Sequence, residues 1–151
     1  MIRRYATLAA LVLGACTAGG IPTSSGGSGG LTIDVSLTQY APVQTLYGQS
    51  GGYSPPITNI SVGTQIHFVN VDSFAHTATE IPGNPTSFPS GSPFNAGALQ
   101  QHGTTLSGGF TSGALQPNSS SQSITADRPG TYLFGCFFHY GAPMRAAIVA
   151  Q

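Results

Sequence analysis

A thiol, an imidazole and a thioether lie close together near the end of this 151-residue chain, at Cys136, His139 and Met144. Their spacing follows the pattern Cys-x2-His-x4-Met. Soft sulfur ligands together with an imidazole favour copper among the ions available to proteins. A cysteine and histidines in a near-planar set, with a more distant methionine, are typical of copper centres that transfer electrons. The segment therefore predicts a copper-binding loop.

A second imidazole is needed to complete this ligand set, and His76 supplies it. His76 lies about 60 residues before Cys136 and follows a strand-like run at residues 63–70. Considered one at a time, these residues have simpler interpretations: Cys136 as a buried cysteine, Met144 as a core methionine and His76 as a histidine in a turn. Taken together, the four residues favour a copper site, so two distant segments must meet in the fold.

Two further histidines carry weaker signals. His67 falls on the polar face of the strand-like run and is expected at the surface of a strand. His102 lies in a segment rich in Gly and Ser. We interpret it as a solvent residue, with an accessory metal contact as the alternative, because a lone histidine seldom binds a metal.

Short alternations of apolar and polar residues run through the chain and predict strands. Residues 31–37 alternate without a break, which indicates a half-buried strand that opens a sandwich. Residues 63–70 repeat the pattern, with Ile66 and Phe68 facing inward. The other predicted strands are residues 121–125 and 131–136, which flank a turn at 127–130, and residues 146–150, which close the sheet. Residues 40–56 and 80–107 show no clear element.

This order of strands predicts where the candidate ligands lie. The penultimate strand ends at Cys136 and the last begins near Met144, so the connection between them carries three candidate ligands. His76 reaches the same pole from another strand. Ligands held by rigid strands reorganise little when copper changes oxidation state. An apolar collar is expected to exclude water and favour the reduced state, and it comprises Phe74, Phe137, Phe138 and Pro143.

The composition favours an all-β fold. The chain has 21 glycines, 11 prolines and no long helical pattern, which favours short strands joined by turns. An all-β sandwich around one core is the expected class.

Only 5% of the residues are charged and none is lysine, against about 25% charged residues in an average domain. Nucleic-acid binding is disfavoured, because it requires a basic footprint.

Two segments resemble the copper-site segments of the cupredoxins, with plastocyanin and pseudoazurin closest in loop spacing. They are N-V-D-S-F-A-H, ending at His76, and G-T-Y-L-F-G-C-F-F-H-Y-G-A-P-M, ending at Met144. The resemblance covers residues 31–151 and implies a single Greek-key β-sandwich or barrel. It also implies one type 1 copper ion, with His76, Cys136 and His139 as ligands and Met144 as the weak axial ligand. The expected function is one-electron transfer between redox protein partners, with the ring edge of His139 as the electron port.

Three positions depart from the family pattern. Thr77 stands where relatives usually have an asparagine that ties the two ligand loops together. Phe138 stands in place of a proline, and Gly135 in place of a tyrosine. We expect the threonine hydroxyl to form fewer bonds than an amide, and we do not expect the family's aromatic side route for electrons here.

The beginning of the chain resembles a bacterial lipoprotein signal. Residues 1–15 combine Arg3 and Arg4 with an apolar run that ends in small residues, as secretory signals do. The sequence L-G-A-C, ending at Cys16, resembles the lipobox, in which the cysteine becomes the first mature residue and carries lipid. Residues 16–30 form a Gly/Ser-rich tether with a reach of roughly 20 Å.

These features predict an exported protein, periplasmic or at the cell surface, held on a membrane by lipid on Cys16. The membrane is the outer one if the source is Gram-negative. A plain signal peptide with an incidental cysteine is the alternative. A disulfide between Cys16 and Cys136 and export through the twin-arginine route are weaker alternatives.

Other functions fit the sequence less well than electron transfer. An enzyme of the multicopper type needs His-x-His pairs or a second copper domain, and the sequence has neither. Copper storage or delivery is the runner-up, although such sites are typically rich in Met and His. A recognition module that has lost its metal is disfavoured by the complete ligand set. We expect a monomer with a mature net charge of about −2 and weak electrostatic steering.

Overall fold

The computed structural model describes residues 30–151. The predicted signal at residues 1–15, the lipidated Cys16 and nearly all of the predicted tether lie outside the described residues. Within residues 30–151, no helix is both long enough and apolar enough to cross a membrane.

The described residues form two main β-sheets and one small hairpin, so the expected all-β fold is confirmed. The first sheet has the order β10-β6-β1-β4, the second β5-β12-β11-β7-β9-β8, and β2 pairs with β3. The strands are β1 (Leu31–Val35), β2 (Val43–Thr45), β3 (Gly48–Ser50), β4 (Tyr53–Ser54), β5 (Ile57–Ile60), β6 (Gln65–Asn70), β7 (Thr79–Glu80), β8 (Gln101–His102), β9 (Thr111–Ser112), β10 (Ile124–Thr125), β11 (Gly130–Gly135) and β12 (Arg145–Ala150). A single 3-10 turn of helix, Ala96–Leu99, precedes β8.

The core lies between the two sheets and follows the period-two alternation. Ile33 and Phe68 are paired across the parallel strands β1 and β6, and both are fully buried. Phe134 and Ile148 come from the facing sheet and belong to the same buried cluster. The Phe68 and Phe134 rings lie 5.3 Å apart between their centroids. The two sheets are therefore held together by apolar contact.

Local alternation predicted the long strands but missed several features. Four short strands, β2 to β5, run through residues 43–60, most of which lie in the stretch without a clear element. The predicted strands at 121–125 and 131–136 shorten or shift to β10 and β11, which belong to different sheets. The last strand does not close its sheet, because β12 lies between β5 and β11. The five residues of β12 that follow Arg145 are apolar on both faces, as suits a strand with neighbours on both sides.

Candidate metal centre

Two segments bring the candidate ligands to one end of the sandwich. The connection between β11 and β12, residues 136–144, carries Cys136, His139 and Met144. The amide of Cys136 donates to the carbonyl of Met144 at 3.1 Å, so the connection closes on itself. His76 lies between β6 and β7, and its backbone exchanges two hydrogen bonds with Leu115, at 3.1 and 2.8 Å. Both segments are thus tied to the β framework.

The ligand atoms of His76, Cys136 and His139 form a small triangle. Cys136 Sγ lies 3.8 Å from His76 Nδ1 and 3.6 Å from His139 Nδ1, and the two Nδ1 atoms are 3.2 Å apart. A point in their plane is equidistant from all three atoms at about 2.1 Å, within the roughly 2.0–2.3 Å typical of metal bonds to nitrogen and sulfur. The three residues therefore fit one metal ion.

Burial affects the protonation of the thiol and of the imidazole in opposite ways. Burial raises the pKa of the Cys136 thiol, although backbone amides of Thr77, His139 and Phe138 oppose that rise by donating toward the sulfur. Burial lowers the pKa of His139, and the neighbouring His76 lowers it further. A bound metal ion would displace the proton of the Cys136 thiol, whereas the His139 imidazole would be neutral and ready to bind. A donor set of two imidazole nitrogens and one thiolate favours copper over other divalent ions.

Met144 is buried at the same end of the molecule. Its side chain is fully enclosed and passes close over Gly52, where a Cβ would lie 2.3 Å from Met144 Cγ. Gly52 also has φ +71°, so a side chain is excluded there for two reasons. The role of the thioether as an axial ligand stays a prediction.

Thr77 joins the two ligand segments through its hydroxyl and its backbone. Its Oγ1 accepts a hydrogen bond from the Phe137 amide at 2.9 Å, and its own amide donates to Cys136 Sγ at 3.4 Å. The hydroxyl of buried Tyr53 donates to the Thr77 carbonyl at 2.7 Å. A hydroxyl therefore makes the cross-loop bond, and the amide group of an asparagine is not needed.

The replacement of tyrosine by Gly135 has a steric explanation. A Cβ at Gly135 would lie 2.7 Å from the ring of Tyr140 and 3.0 Å from that of Phe94. Tyr140 is itself fixed, because its hydroxyl donates to the Pro89 carbonyl at 2.9 Å and Arg145 stacks on its ring at 4.1 Å. The space above residue 135 is thus filled by a side chain from the ligand loop.

Aromatic rings surround His139, which is half-buried. Phe74 and Phe138 lie 5.5 and 6.1 Å from its ring between centroids, and they are 36% and 44% exposed. Phe137 packs against Phe138 at 5.3 Å. An apolar rim (Phe74, Phe137 and Phe138) therefore borders the imidazole at the surface, and half-buried Pro143 lies on the same loop.

Asp72 is the residue that sequence reasoning missed. It lies 4% exposed behind His76, and its Oδ2 accepts a hydrogen bond from His76 Nε2 at 2.8 Å. Burial alone would raise the pKa of Asp72, but hydrogen bonds from Thr38, Ser36, His76 and the Leu37 amide hold it well below its usual range. The spacing Asp-x3-His was the available signal, although it does not by itself show that the two side chains meet.

The other histidines lie away from this centre. His67 is on β6, where its Nε2 is 2.9 Å from the hydroxyl of Thr32 at the surface. His102 is exposed on β8. Neither belongs to a group of three potential ligands among residues 30–151.

Comparison with known proteins identifies the fold. No protein-family model and no curated sequence matches the chain. A purple cupredoxin from Nitrosopumilus maritimus is 20% identical, covering 80% of this chain and 99% of its own, with a TM-score of 0.51. The reduced Cu(I) form, at pH 4, of an amicyanin variant is 16% identical over 87% of this chain and 97% of its own, with a TM-score of 0.51. The fold is that of the cupredoxins, a Greek-key β-sandwich, as expected from the sequence.

Proposed function

We propose that this protein carries single electrons between redox proteins through one copper ion. His76, Cys136 and His139 would be the equatorial ligands and Met144 the axial one. The observation that carries the proposal is the triangle of two imidazole nitrogens and one thiol sulfur, whose centre lies at metal-bonding distance from all three atoms. Copper bound there would supply a Cu(II)/Cu(I) couple.

The surroundings of the triangle support electron transfer over bond chemistry. Cys136, His76 and Met144 are fully buried, so water and substrates have little access to the ligands. His139 is the one half-exposed member and lies inside the apolar rim. A partner that docks on the rim would bring its own redox group close to the His139 ring. The chain would catalyse no bond change.

Storage or delivery of copper is supported less well by the same geometry. A delivery site must release its ion to a partner, which favours open and exposed ligands. Here three of the four proposed ligands are enclosed. The Thr77 amide donates to Cys136 Sγ, and the backbones of His76 and Leu115 are hydrogen-bonded to each other, so two of the ligands are also held in place. A preorganised site of this kind retains its ion.

We also propose a cellular location for the protein. The lipobox-like sequence at Cys16 and the Gly/Ser-rich stretch after it support an exported protein held by lipid at the outer face of a bacterial membrane. Cys16→Ser should release the protein from membranes or block removal of the signal, because serine cannot form the thioether-linked lipid. Unchanged membrane association of that variant would rule out this anchor.

Visible absorption of the copper-loaded protein tests the central proposal. Metal-free protein titrated with Cu(II) should develop an intense thiolate-to-copper band that saturates at one ion per chain. Reduction should bleach the band and reoxidation should restore it. Copper binding without this band would overturn the electron-transfer function and favour storage. Absence of copper binding would overturn both.

A further inference from the structure

Asp72 is a buried carboxylate surrounded by hydrogen-bond donors. Oδ1 accepts from the hydroxyls of Ser36, at 2.7 Å, and Thr38. Oδ2 accepts from the Leu37 amide at 2.6 Å and from His76 Nε2 at 2.8 Å. Two donors to each oxygen satisfy an ionised carboxylate, so Asp72 keeps its charge although it is only 4% exposed.

The bond to His76 determines which ring nitrogen carries the proton. A carboxylate only accepts hydrogen bonds, so His76 Nε2 must be the protonated nitrogen in the pair. The lone pair of Nδ1 is then directed toward Cys136 and His139, from which it is separated by 3.8 and 3.2 Å. The hydrogen bond thereby orients the ring for metal binding and makes its free nitrogen a stronger donor.

Within residues 30–151, no arginine neutralises the charge of Asp72. Among the described residues, its one ion-pair partner is His76, which is neutral when it binds a metal. The three other donors are hydroxyls and an amide, which carry no net charge. A negative charge therefore remains one imidazole away from the centre of the ligand triangle, on a carboxylate that is 4% exposed and is screened by water less than a surface charge would be.

We propose that Asp72 is a positioning residue that sets the tautomer of His76 and lowers the reduction potential of the centre. The inference rests on the proposed copper function. A buried anion stabilises Cu(II) relative to Cu(I), which opposes the effect of the apolar rim. Asp72 also ties His76 to the exit of β1, because three of its four donors lie at residues 36–38. Its burial excludes it from a docking surface.

The primary test is Asp72→Asn, which keeps the size of the side chain and removes its charge. The reduction potential of the copper-loaded variant should rise, and its affinity for Zn(II), a redox-inactive probe, should fall about 10- to 100-fold. Asp34→Asn is the matched control, since half-buried Asp34 lies on β1, accepts from Tyr40 and does not contact His76. An equal change of potential in both variants would overturn the proposal.

Ser36→Ala separates positioning from mere support of the fold. This variant loses one donor to Asp72 but keeps the carboxylate behind His76. It should therefore lower the free energy of unfolding while leaving the potential near that of the wild type. A potential shift in Ser36→Ala as large as that in Asp72→Asn would show that loosening of the fold, and not charge, moves the potential.

Nitrogen-15 NMR of the Zn(II)-loaded wild type provides a test without any variant, in case Asp72→Asn does not fold. The His76 ring should show a protonated Nε2 with slow hydrogen exchange and a metal-bound Nδ1. A protonated Nδ1 would overturn the inference. Wild-type protein that binds Zn(II) in this way but forms no coloured copper complex would refute the electron-transfer function and leave the positioning role of Asp72 intact.

Discussion

Two acidic side chains lie four residues to either side of His76 and meet opposite environments. Asp72 receives four hydrogen bonds, and its pKa is held below the usual range. Glu80 on β7 is half-buried, and its Oε2 has no hydrogen-bond partner among the described residues. Burial, with a smaller contribution from Asp127, raises the pKa of Glu80 to about 8. Donors, not burial alone, decide whether a carboxylate stays charged.

Asp72 lies on the connection between β6 and β7, whereas Glu80 lies on β7 itself. Around Asp72, two hydroxyls, one backbone amide and the His76 ring hold a charge that can act on the metal ligand His76. No described residue donates to Oε2 of Glu80, and burial raises the pKa of this side chain to about 8, so it is mostly protonated at pH 7 and exerts little electrostatic influence on the centre.

Cys136→Ala should abolish the thiolate-to-copper band completely, because neither Asp72 nor Glu80 can replace a thiolate. The metal-free variant should still fold, since the core rests on apolar residues from both sheets. Absorption after Cu(II) addition and circular dichroism of the metal-free protein check the two parts. A remaining intense band would place the ligand elsewhere, and an unfolded variant would mean that Cys136 packing supports the sandwich more than we infer.

Asp72→Ala should lower the free energy of unfolding by about 3 kcal/mol, because it leaves buried donors without an acceptor. Urea unfolding of the metal-free proteins at pH 7 measures this loss. In the wild type, the stability contributed by Asp72 is present above its unfolded pKa of about 3.8 and is lost as the pH falls below it toward the folded value. A loss of unfolding free energy smaller than that caused by Asp34→Asn would contradict the inferred difference between the environments of Asp72 and Glu80.

Glu80→Gln should change the pH dependence of stability. The folded protein keeps the Glu80 proton up to about pH 8, whereas the unfolded chain loses it near pH 4.5. The folded state therefore binds more protons in this window, and the Glu80 contribution to stability falls as pH rises from 4.5 to 8 and then levels off. At pH 8 the variant should be more stable than the wild type by on the order of 1 kcal/mol, allowing for solvent screening of a half-buried group.

Urea unfolding at pH 5 and pH 8 measures this effect, with Asp34→Asn as the control carboxylate. The wild type should lose stability between the two values and Glu80→Gln should lose less. Identical slopes in the two proteins would mean that Glu80 titrates normally, and the contrast with Asp72 would then have no basis.

The smallest expected effect is that of salt on electron exchange with a partner. Asp72 is buried, Glu80 is half-buried, and the apolar rim around His139 carries no charge. Bimolecular rates measured by stopped flow should therefore depend only shallowly on ionic strength. A steep fall between low and physiological salt would show that an exposed charge such as Arg128 or half-buried Arg145 guides docking.

The sequence predicted much of the framework and the candidate ligands. Period-two alternation is a local property, so β1 and β6 could be located from apolar residues such as Ile33 and Phe68. The spacing of Cys136, His139 and Met144 is also a local pattern, and it predicted the copper-binding loop at residues 136–144. The pattern could not predict β2 to β5, because strands of two to four residues carry too little alternation.

Only the tertiary structure decided how these parts act on one another. The triangle depends on His76 and Cys136 meeting across 60 positions, and the sequence could suggest that meeting but not its distances. Donors from residues 36–38 enclose the Asp72 carboxylate only in the folded chain, and only there does the Thr77 hydroxyl meet the Phe137 amide. Residue type determines which chemistry a group can perform, whereas burial and hydrogen-bond partners, contributed by distant segments, determine its charge and orientation.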